Sequence, residues 1–202
     1  MVKKSLSSEK RILEAAKKIF HEKGMEGSRM QEIADEAGIN KALLHYYFRN
    51  KENLFDAVFR EALQEIFTKL FQIAGTDIAF DQKIRLIFHN YIGFLQQNSY
   101  IPGFILSEMR QDPDKLARIM KSANISPTAL YAKMKESVSD ESIGKMDYRN
   151  FIINLLSLCI FPFAARPLLQ IIFDFTEEGY DDFLEKRKNE LPEFFMNAIR
   201  KK

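Results

Sequence analysis

The sequence predicts an all-α protein, with an N-terminal three-helix head carrying a helix-turn-helix and a larger helical body behind it. Three observations carry that reading. Apolar residues recur at i, i+3, i+4 and i+7 through nearly the whole chain. The prolines and glycines sit mostly where helices start or stop. No segment makes a convincing strand.

Taken in order, Ile12, Ala15, Ala16, Ile19 and Phe20 form the inner stripe of a first helix. Ser7 or Ser8 can cap it, with Glu9 near its positive end. Gly24 ends it, because glycine takes the left-handed conformation cheaply. A second helix is expected from Ser28, where Ser28 and Gln31 have capping-box spacing. Met30, Ile33, Ala34 and Ala37 supply its inner face, and Gly38 breaks it. Asn40 can cap a third helix running to about Tyr47, and Asn50 a fourth. That fourth helix is long, with apolar pairs every four residues from Leu54/Phe55 to Leu70/Phe71, and Gly75 and Thr76 end it. Further helices are expected at about 81–97, 102–111, 113–123, 127–138, 147–161, 163–173 and 180–201. Pro102, Pro113 and Pro127 suit first turns. Pro192 predicts a kink or a restart in the last helix. The division expected from this pattern is a head at 1–52 and a body at 53–202.

Composition narrows the function classes. With 46% apolar and 29% charged residues in 202, the chain is not a disordered polymer. One cysteine, Cys159, excludes an intrachain disulfide and a cysteine-rich zinc site. Flanked by Leu158 and Ile160, it is expected to be buried and inert. His21, His45 and His89 lack metal-ligand spacing, so no metal is expected. No phosphate-cradling glycine loop, H-E-x-x-H or G-x-S-x-G occurs, so neither an enzyme nor a cofactor is expected. Met1–Lys10 is polar and does not resemble a secretory leader, and a cytoplasmic protein is expected. The apolar stretch 151–173 is interrupted by Asn154, Ser157, Pro162, Arg166, Pro167 and Gln170. It reads as a buried helix with breaks, and no membrane partner is expected. A buried Arg166 would need a carboxylate or carbonyl partner, with Asp174 and Glu177 available, and the alternative is a clamp for an anionic ligand.

The overall charge of +2 names no partner, but its distribution is uneven. Residues 1–55 hold eleven Lys/Arg against eight Asp/Glu, an excess of +3 that leaves −1 for the rest. The excess lies beside the most informative stretch, Ser28–Leu54. There, two short helices flank the tight turn Ala37-Gly38-Ile39-Asn40, and Ile33, Ala34, Ala37, Ile39 and Leu44 can lock the pair. The outer face of the second helix is then free to enter a major groove. Lys41 can neutralise a phosphate, and His45, Tyr46 and Tyr47 offer ring donors to phosphates or base edges. These three consecutive residues cannot all face one core, since neighbours on a helix differ by about 100°. Asn40 and Lys51 sit at helix starts, where phosphates bind. The Lys3-Lys4 pair reads as a DNA-gripping arm or a frayed terminus.

Within this region the pattern Arg11-x4-Ala16-x3-Phe20-x3-Gly24, then Ile33-Ala34-x2-Ala37-Gly38-Ile39-Asn40 and Tyr47-Phe48-x2-Lys51-Glu52-x-Leu54, resembles the TetR/AcrR family of bacterial repressors. The likeness is close over about residues 8–56 and general beyond. It implies a three-helix DNA-binding head on a helical ligand-binding core, and a homodimer whose last two long helices pair with their mates. It also implies that a core ligand changes the spacing of the heads and releases a double-stranded DNA operator. Carried over residue by residue, the DNA contacts fall on Ser28, Arg29, Asn40, Lys41, Ala42, Leu43, His45, Tyr46, Tyr47 and Lys51. The sequence departs from the family where Val-Ser is Ile39-Asn40 and the small Gly is Ala42. Leu-Tyr-x-His-Phe reads Leu44-His45-Tyr46-Tyr47-Phe48, so His and Tyr have exchanged places.

The body is rich in Phe and Met, which suggests an apolar small-molecule effector. Lining candidates are Phe88, Tyr91, Phe94, Phe104, Met109, Met120, Tyr131, Met134 and Phe151, with His89, Asn90, Arg110 and Asn154 as polar anchors. The apolar stretches within 147–173 and 180–201 are the expected dimer surface. A ligand-responsive repressor therefore leads the readings. A DNA-binding structural or docking module without an effector, and a helical enzyme that merely contains the hairpin, are the alternatives.

Overall fold

In a computed structural model, residues 7–136 and 147–200 are described. The Lys3-Lys4 pair and the expected end of the 127–138 helix lie outside them. The described residues form eleven helices: α1 (Ser8–Gly27), α2 (Met30–Glu36), α3 (Lys41–Phe48), α4 (Lys51–Ala74), α5 (Phe80–Gln97), α6 (Tyr100–Gln111), α7 (Pro113–Ser122), α8 (Pro127–Lys135), α9 (Tyr148–Ala164), α10 (Arg166–Ile172) and α11 (Glu177–Ile199). Residues up to Leu63 and Asn98–Ala123 form one compact unit, and Gln64–Gln97 with Asn124 onward form another. This differs from a division at 52/53. The first half of α4 and the later α6 and α7 share the core of the head, a long-range packing that local periodicity does not reveal.

In the first unit, α1 buries the expected stripe of Ile12, Ala15, Ala16, Ile19 and Phe20. Gly24 interrupts it at φ +67°, a left-handed value that costs a residue without Cβ little. One further helical turn carries α1 to Gly27. Phe20 packs edge-on against Phe55 at 4.8 Å, and Phe104 of α6 sits 4.4 Å from Phe55 and 4.8 Å from Phe59. Lys115 of α7 ties the same group together by bridging Asp56 at 2.9 Å and Glu108 at 3.3 Å.

In the second unit, α5 packs mainly against α11 and α9, and α8 against α9. Lys83 is buried, and its ammonium donates to the Ala74 carbonyl at the end of α4 (2.7 Å). The stretch expected as a broken buried helix is α9 and α10, which meet at 71° around Ala165. No single described helix is long and apolar enough to cross a membrane. The break is real, but α10 buries none of its residues. Pro162 lies inside α9 and withholds the N–H that Leu158 would receive. Arg187 of α11 supplies the missing donor, at 3.0 Å from the Leu158 carbonyl oxygen. The Tyr180 hydroxyl donates to the Pro162 carbonyl at 2.6 Å. Arg166 lies over the Tyr180 ring and bridges Glu177 at 2.6 Å and Asp181 at 3.6 Å. Of the two expected carboxylates, Glu177 is the partner. Asp174 instead takes the left-handed position that closes α10, at φ +51°. Pro192 does not restart α11, which runs as one helix across it.

Candidate nucleic-acid interface and core cavity

The turn between α2 and α3 is a complete helix stop. Gly38 takes φ +64°, its N–H reaches the Asp35 carbonyl at 3.1 Å, and the Ile39 N–H reaches the Ala34 carbonyl at 3.0 Å. Asn40 then caps α3, its side-chain oxygen accepting from the Leu43 N–H at 2.8 Å. On α3, Leu44 and Phe48 are buried, and they anchor the helix to the head. At about 100° per residue, Ala42 and Tyr46 then point most directly outward, flanked by Lys41 and His45 on one side and Leu43 and Tyr47 on the other. Exposure follows that geometry: Tyr46 is 81% exposed, Tyr47 40%, and Lys41, Ala42 and His45 are exposed while Leu43 is half-buried. The Tyr46 and Tyr47 rings meet edge-on at 5.6 Å.

Three expected DNA contacts are engaged elsewhere or placed differently. Ser28 is buried and does not cap α2, because its hydroxyl donates to the Met25 carbonyl at 2.8 Å. The start of α2 is held instead by Glu32, which accepts from the Arg29 N–H at 3.1 Å, so the Ser28–Gln31 capping box is not formed. Lys51 turns inward and donates to the Ser28 carbonyl at 3.2 Å, tying the start of α4 to the approach to α2. Asn40 presents a side chain already used in capping.

The basic excess of the head is also partly consumed. Lys23 pairs with Glu32 and Lys18 with Glu36, both at 2.8 Å, which fastens α1 to α2. The hydrogen bond from Lys23 holds the Glu32 carboxyl below its usual range. Among the described residues Arg29, Lys41 and Arg49 form no ion pair, so these exposed cations remain for an anionic partner. Arg49 was not among the expected contacts. It occupies a left-handed position after α3, and no turn residue in the sequence announces it.

The second unit holds an almost wholly apolar cavity of about 50 Å³. Its walls are Phe67 and Leu70 of α4, Ile87 and Tyr91 of α5, Pro127, Leu130, Tyr131 and Met134 of α8, and Phe151, Ile152, Leu155 and Leu156 of α9. Four expected lining residues, Tyr91, Tyr131, Met134 and Phe151, therefore meet on it. The others do not. Phe88 is buried against Phe195 at 5.3 Å, behind the wall. Phe104 and Met120 belong to the first unit, where Phe104 fills the head core. Met109, also in that unit, is 57% exposed. Asn154 faces away from the core and is exposed. Burial pushes the Tyr91 phenol and the Cys159 thiol well up, so both stay protonated. A wider, polar groove of about 250 Å³ lies beside Glu65, Lys69, His89, Asn90, Phe94 and Lys188. It takes in three residues expected at a pocket. Among the described residues no group of three His, Cys, Asp or Glu is placed to hold a metal.

Comparison with known proteins matches residues 12–58 to the family described as bacterial regulatory proteins, tetR family. The matched span covers α2 and α3 whole, most of α1 and the start of α4. The chain is 24% identical over 181 residues to a probable HTH-type transcriptional regulator, YttP, of Bacillus subtilis, covering 87% of this chain and 86% of that one. Its fold resembles that of the transcriptional regulator FadR of Bacillus subtilis, solved in complex with stearoyl-CoA (TM-score 0.67, 18% identity, 93% of this chain and 97% of that one). It also resembles the fatty acid degradation regulator FadR of Bacillus halodurans (TM-score 0.68, 16% identity, 96% and 97%).

Proposed function

Since the chain is a transcriptional regulator of the TetR family, we propose that it is an effector-released repressor acting as a homodimer on a near-palindromic operator. The observation that carries the reading is the outer face of α3. An exposed arc of Lys41, Ala42, His45, Tyr46 and Tyr47 is held by buried Leu44 and Phe48 on a helix with a well-formed start. Each α3 enters a major groove, and two heads meet successive grooves about 34 Å apart. Arg29 and Lys41 contact phosphates. Ala42, Leu43, Tyr46 and Tyr47 meet bases and sugars. Ser28 and Lys51 support the α2–α3 pair from within.

The dimer is supported by apolar surface that the protomer leaves uncovered. Leu168, Ile171, Ile172 and Phe173 at α10 are exposed, as are Ile153 and Phe161 on α9 and Phe194 on α11. Ile171 alone is 80% exposed. Exposed apolar residues in this number mark association where they adjoin, and they fall within 147–173 and 180–201.

The apolar cavity is the proposed effector site. Pockets that hold small molecules span roughly 300–1,000 Å³. A cavity of about 50 Å³ must therefore open as ligand enters, displacing α8 or α9. This gives the ligand different affinities for two conformers, which any release mechanism needs. A long acyl chain fits a lining with almost no polar surface, and the FadR neighbour was solved with stearoyl-CoA. The test is a binding titration of the full chain on the DNA upstream of its own gene against a shuffled duplex at equal salt. A preference of about 10³-fold, saturating at an even number of chains per site, is expected. Stearoyl-CoA, with coenzyme A alone as control, is expected to lower operator affinity by about 5–150-fold. Equal binding to both duplexes would sink the operator reading. No response to stearoyl-CoA would sink the acyl effector.

A further inference from the structure

The α3 face holds one ring whose hydrogen-bonding polarity the fold itself sets. His45 Nδ1 lies 2.7 Å from the Arg49 carbonyl oxygen. A carbonyl only accepts, so Nδ1 carries the proton. In the neutral ring Nε2 is then the nitrogen with a free lone pair. The arrangement is reciprocal, because the Arg49 N–H donates to the His45 carbonyl at 2.8 Å. Arg49 itself takes φ +51°, which brings its own carbonyl under the ring. Among the described residues Nε2 has no hydrogen-bond partner, and His45 is exposed one helical turn from Lys41.

We infer that His45 Nε2 accepts a hydrogen bond from an exocyclic amino group in the major groove, adenine N6 or cytosine N4. His45 thereby selects the base at one position of each half-site. The inference rests on the reading of α3 as the helix that enters the groove. Phosphate oxygens, guanine N7 and O6, and thymine O4 are all acceptors. A neutral ring whose one proton is given to Arg49 has nothing to donate to them. The amino groups of adenine and cytosine are the hydrogen-bond donors that base pairs present in the major groove. Ala42, three residues earlier on the same arc, adds little bulk beside the ring. His45 occupies the position where the resembled pattern carries tyrosine, whose hydroxyl can donate as well as accept. The exchange therefore narrows the chemistry that this position can read.

The experiment is selection from a randomised duplex library by the full-length chain, wild type and His45→Phe, at one fixed pH and salt concentration. Phenylalanine keeps a planar ring and removes both nitrogens. The expected wild-type consensus has one column per half-site dominated by adenine or cytosine. In the variant that column becomes degenerate while the others persist. On the selected site, the amino-bearing base in one half-site is then replaced by its analogue without the amino group, purine for adenine or pyrimidin-2-one for cytosine. This is expected to weaken the wild-type chain about fivefold to tenfold and to leave the variant unchanged. The analogue arm uses unaltered protein, so it decides the matter even where the variant folds poorly. A consensus that His45→Phe leaves intact overturns the inference, and so does a lost column that had preferred guanine or thymine. A uniform loss across all sequences, with a shallower salt dependence, makes His45 a phosphate contact and overturns it too. A wild-type chain that selects no consensus removes the sequence-reading function itself, and this inference with it.

Discussion

Replacing Arg187 by methionine tests how α9 tolerates its internal proline. Pro162 cannot donate to Leu158, and the Arg187 guanidinium fills the gap at 3.0 Å while lying 5.4 Å from the centre of the Phe183 ring. Burial lowers the Arg187 pKa from its ordinary value, which marks a cation partly withdrawn from water. A hydrogen bond from a charged donor contributes about 1.5–3 kcal/mol. Half-burial puts this one toward the lower end, at about 1.5–2 kcal/mol. The ring contact adds about 0.5–1 kcal/mol. Arg187→Met is therefore expected to cost about 2–3 kcal/mol. At about 2–4 °C per kcal/mol for a chain of this length, melting falls by roughly 4–12 °C. The melt is run at fixed protein concentration, because association would itself shift Tm. The decisive comparison is made in a Pro162→Ala background. Alanine restores the N–H to the Leu158 carbonyl, so the guanidinium loses its particular task there. The cost of Arg187→Met should then shrink by about 1–2 kcal/mol, toward the ring contact alone. An equal cost in both backgrounds would refute the argument that Arg187 completes the broken helix.

Three further outcomes follow from the first unit. Phe104→Ala removes a ring packed at 4.4 Å and 4.8 Å against Phe55 and Phe59 and is expected to cost about 3–5 kcal/mol in a denaturant melt, although the sequence offered this residue to a ligand. Asn40→Ala deletes the α3 cap and is expected to lower stability by about 1 kcal/mol, with weaker operator binding, whereas Asn40→Ser keeps both. For Lys115, partial burial lowers the pKa, but hydrogen bonds and charge from Asp56 and Glu108 outweigh it and the net shift is upward. Its contribution is thus complete below the ordinary lysine range and lost as pH climbs through its own higher value. The Tm difference between wild type and Lys115→Met, followed from neutral to strongly alkaline pH, should narrow at the alkaline end.

How much could be read beforehand depended on the range of the forces involved. The α3 cap by Asn40, the Gly38 stop, the stripe of α1 and the proline starts of α7 and α8 are local. Each is settled by steric and hydrogen-bond rules within a few residues. The same locality made His45, Tyr46 and Tyr47 legible as an outward arc, because helical geometry alone forbids all three from facing one core. The cap of α2 was missed within that range. Glu32 and Ser28 both had the chemistry for it, but the Ser28 hydroxyl is spent on the Met25 carbonyl and Glu32 takes the Arg29 N–H.

Tertiary structure decided what pairs with what across long stretches of chain. Phe104 and Tyr91 are both aromatic residues on an apolar helix face, and nothing local tells them apart. Only the packing of α6 against the head sends Phe104 to a core, while α5, α8 and α9 together bring Tyr91 to a cavity. Lys51 has the chemistry of a phosphate contact, yet a carbonyl 23 residues earlier takes its ammonium. Pro162 could be read as a break, but the donor that repairs it comes from Arg187, 25 residues later. The sequence by itself determined that the chain is helical, where most helices start or stop, and which residues of α3 form its outward arc. Which polar atoms remained free to act was decided by packing, because burial and hydrogen-bond satisfaction depend on neighbours that only the folded chain brings together.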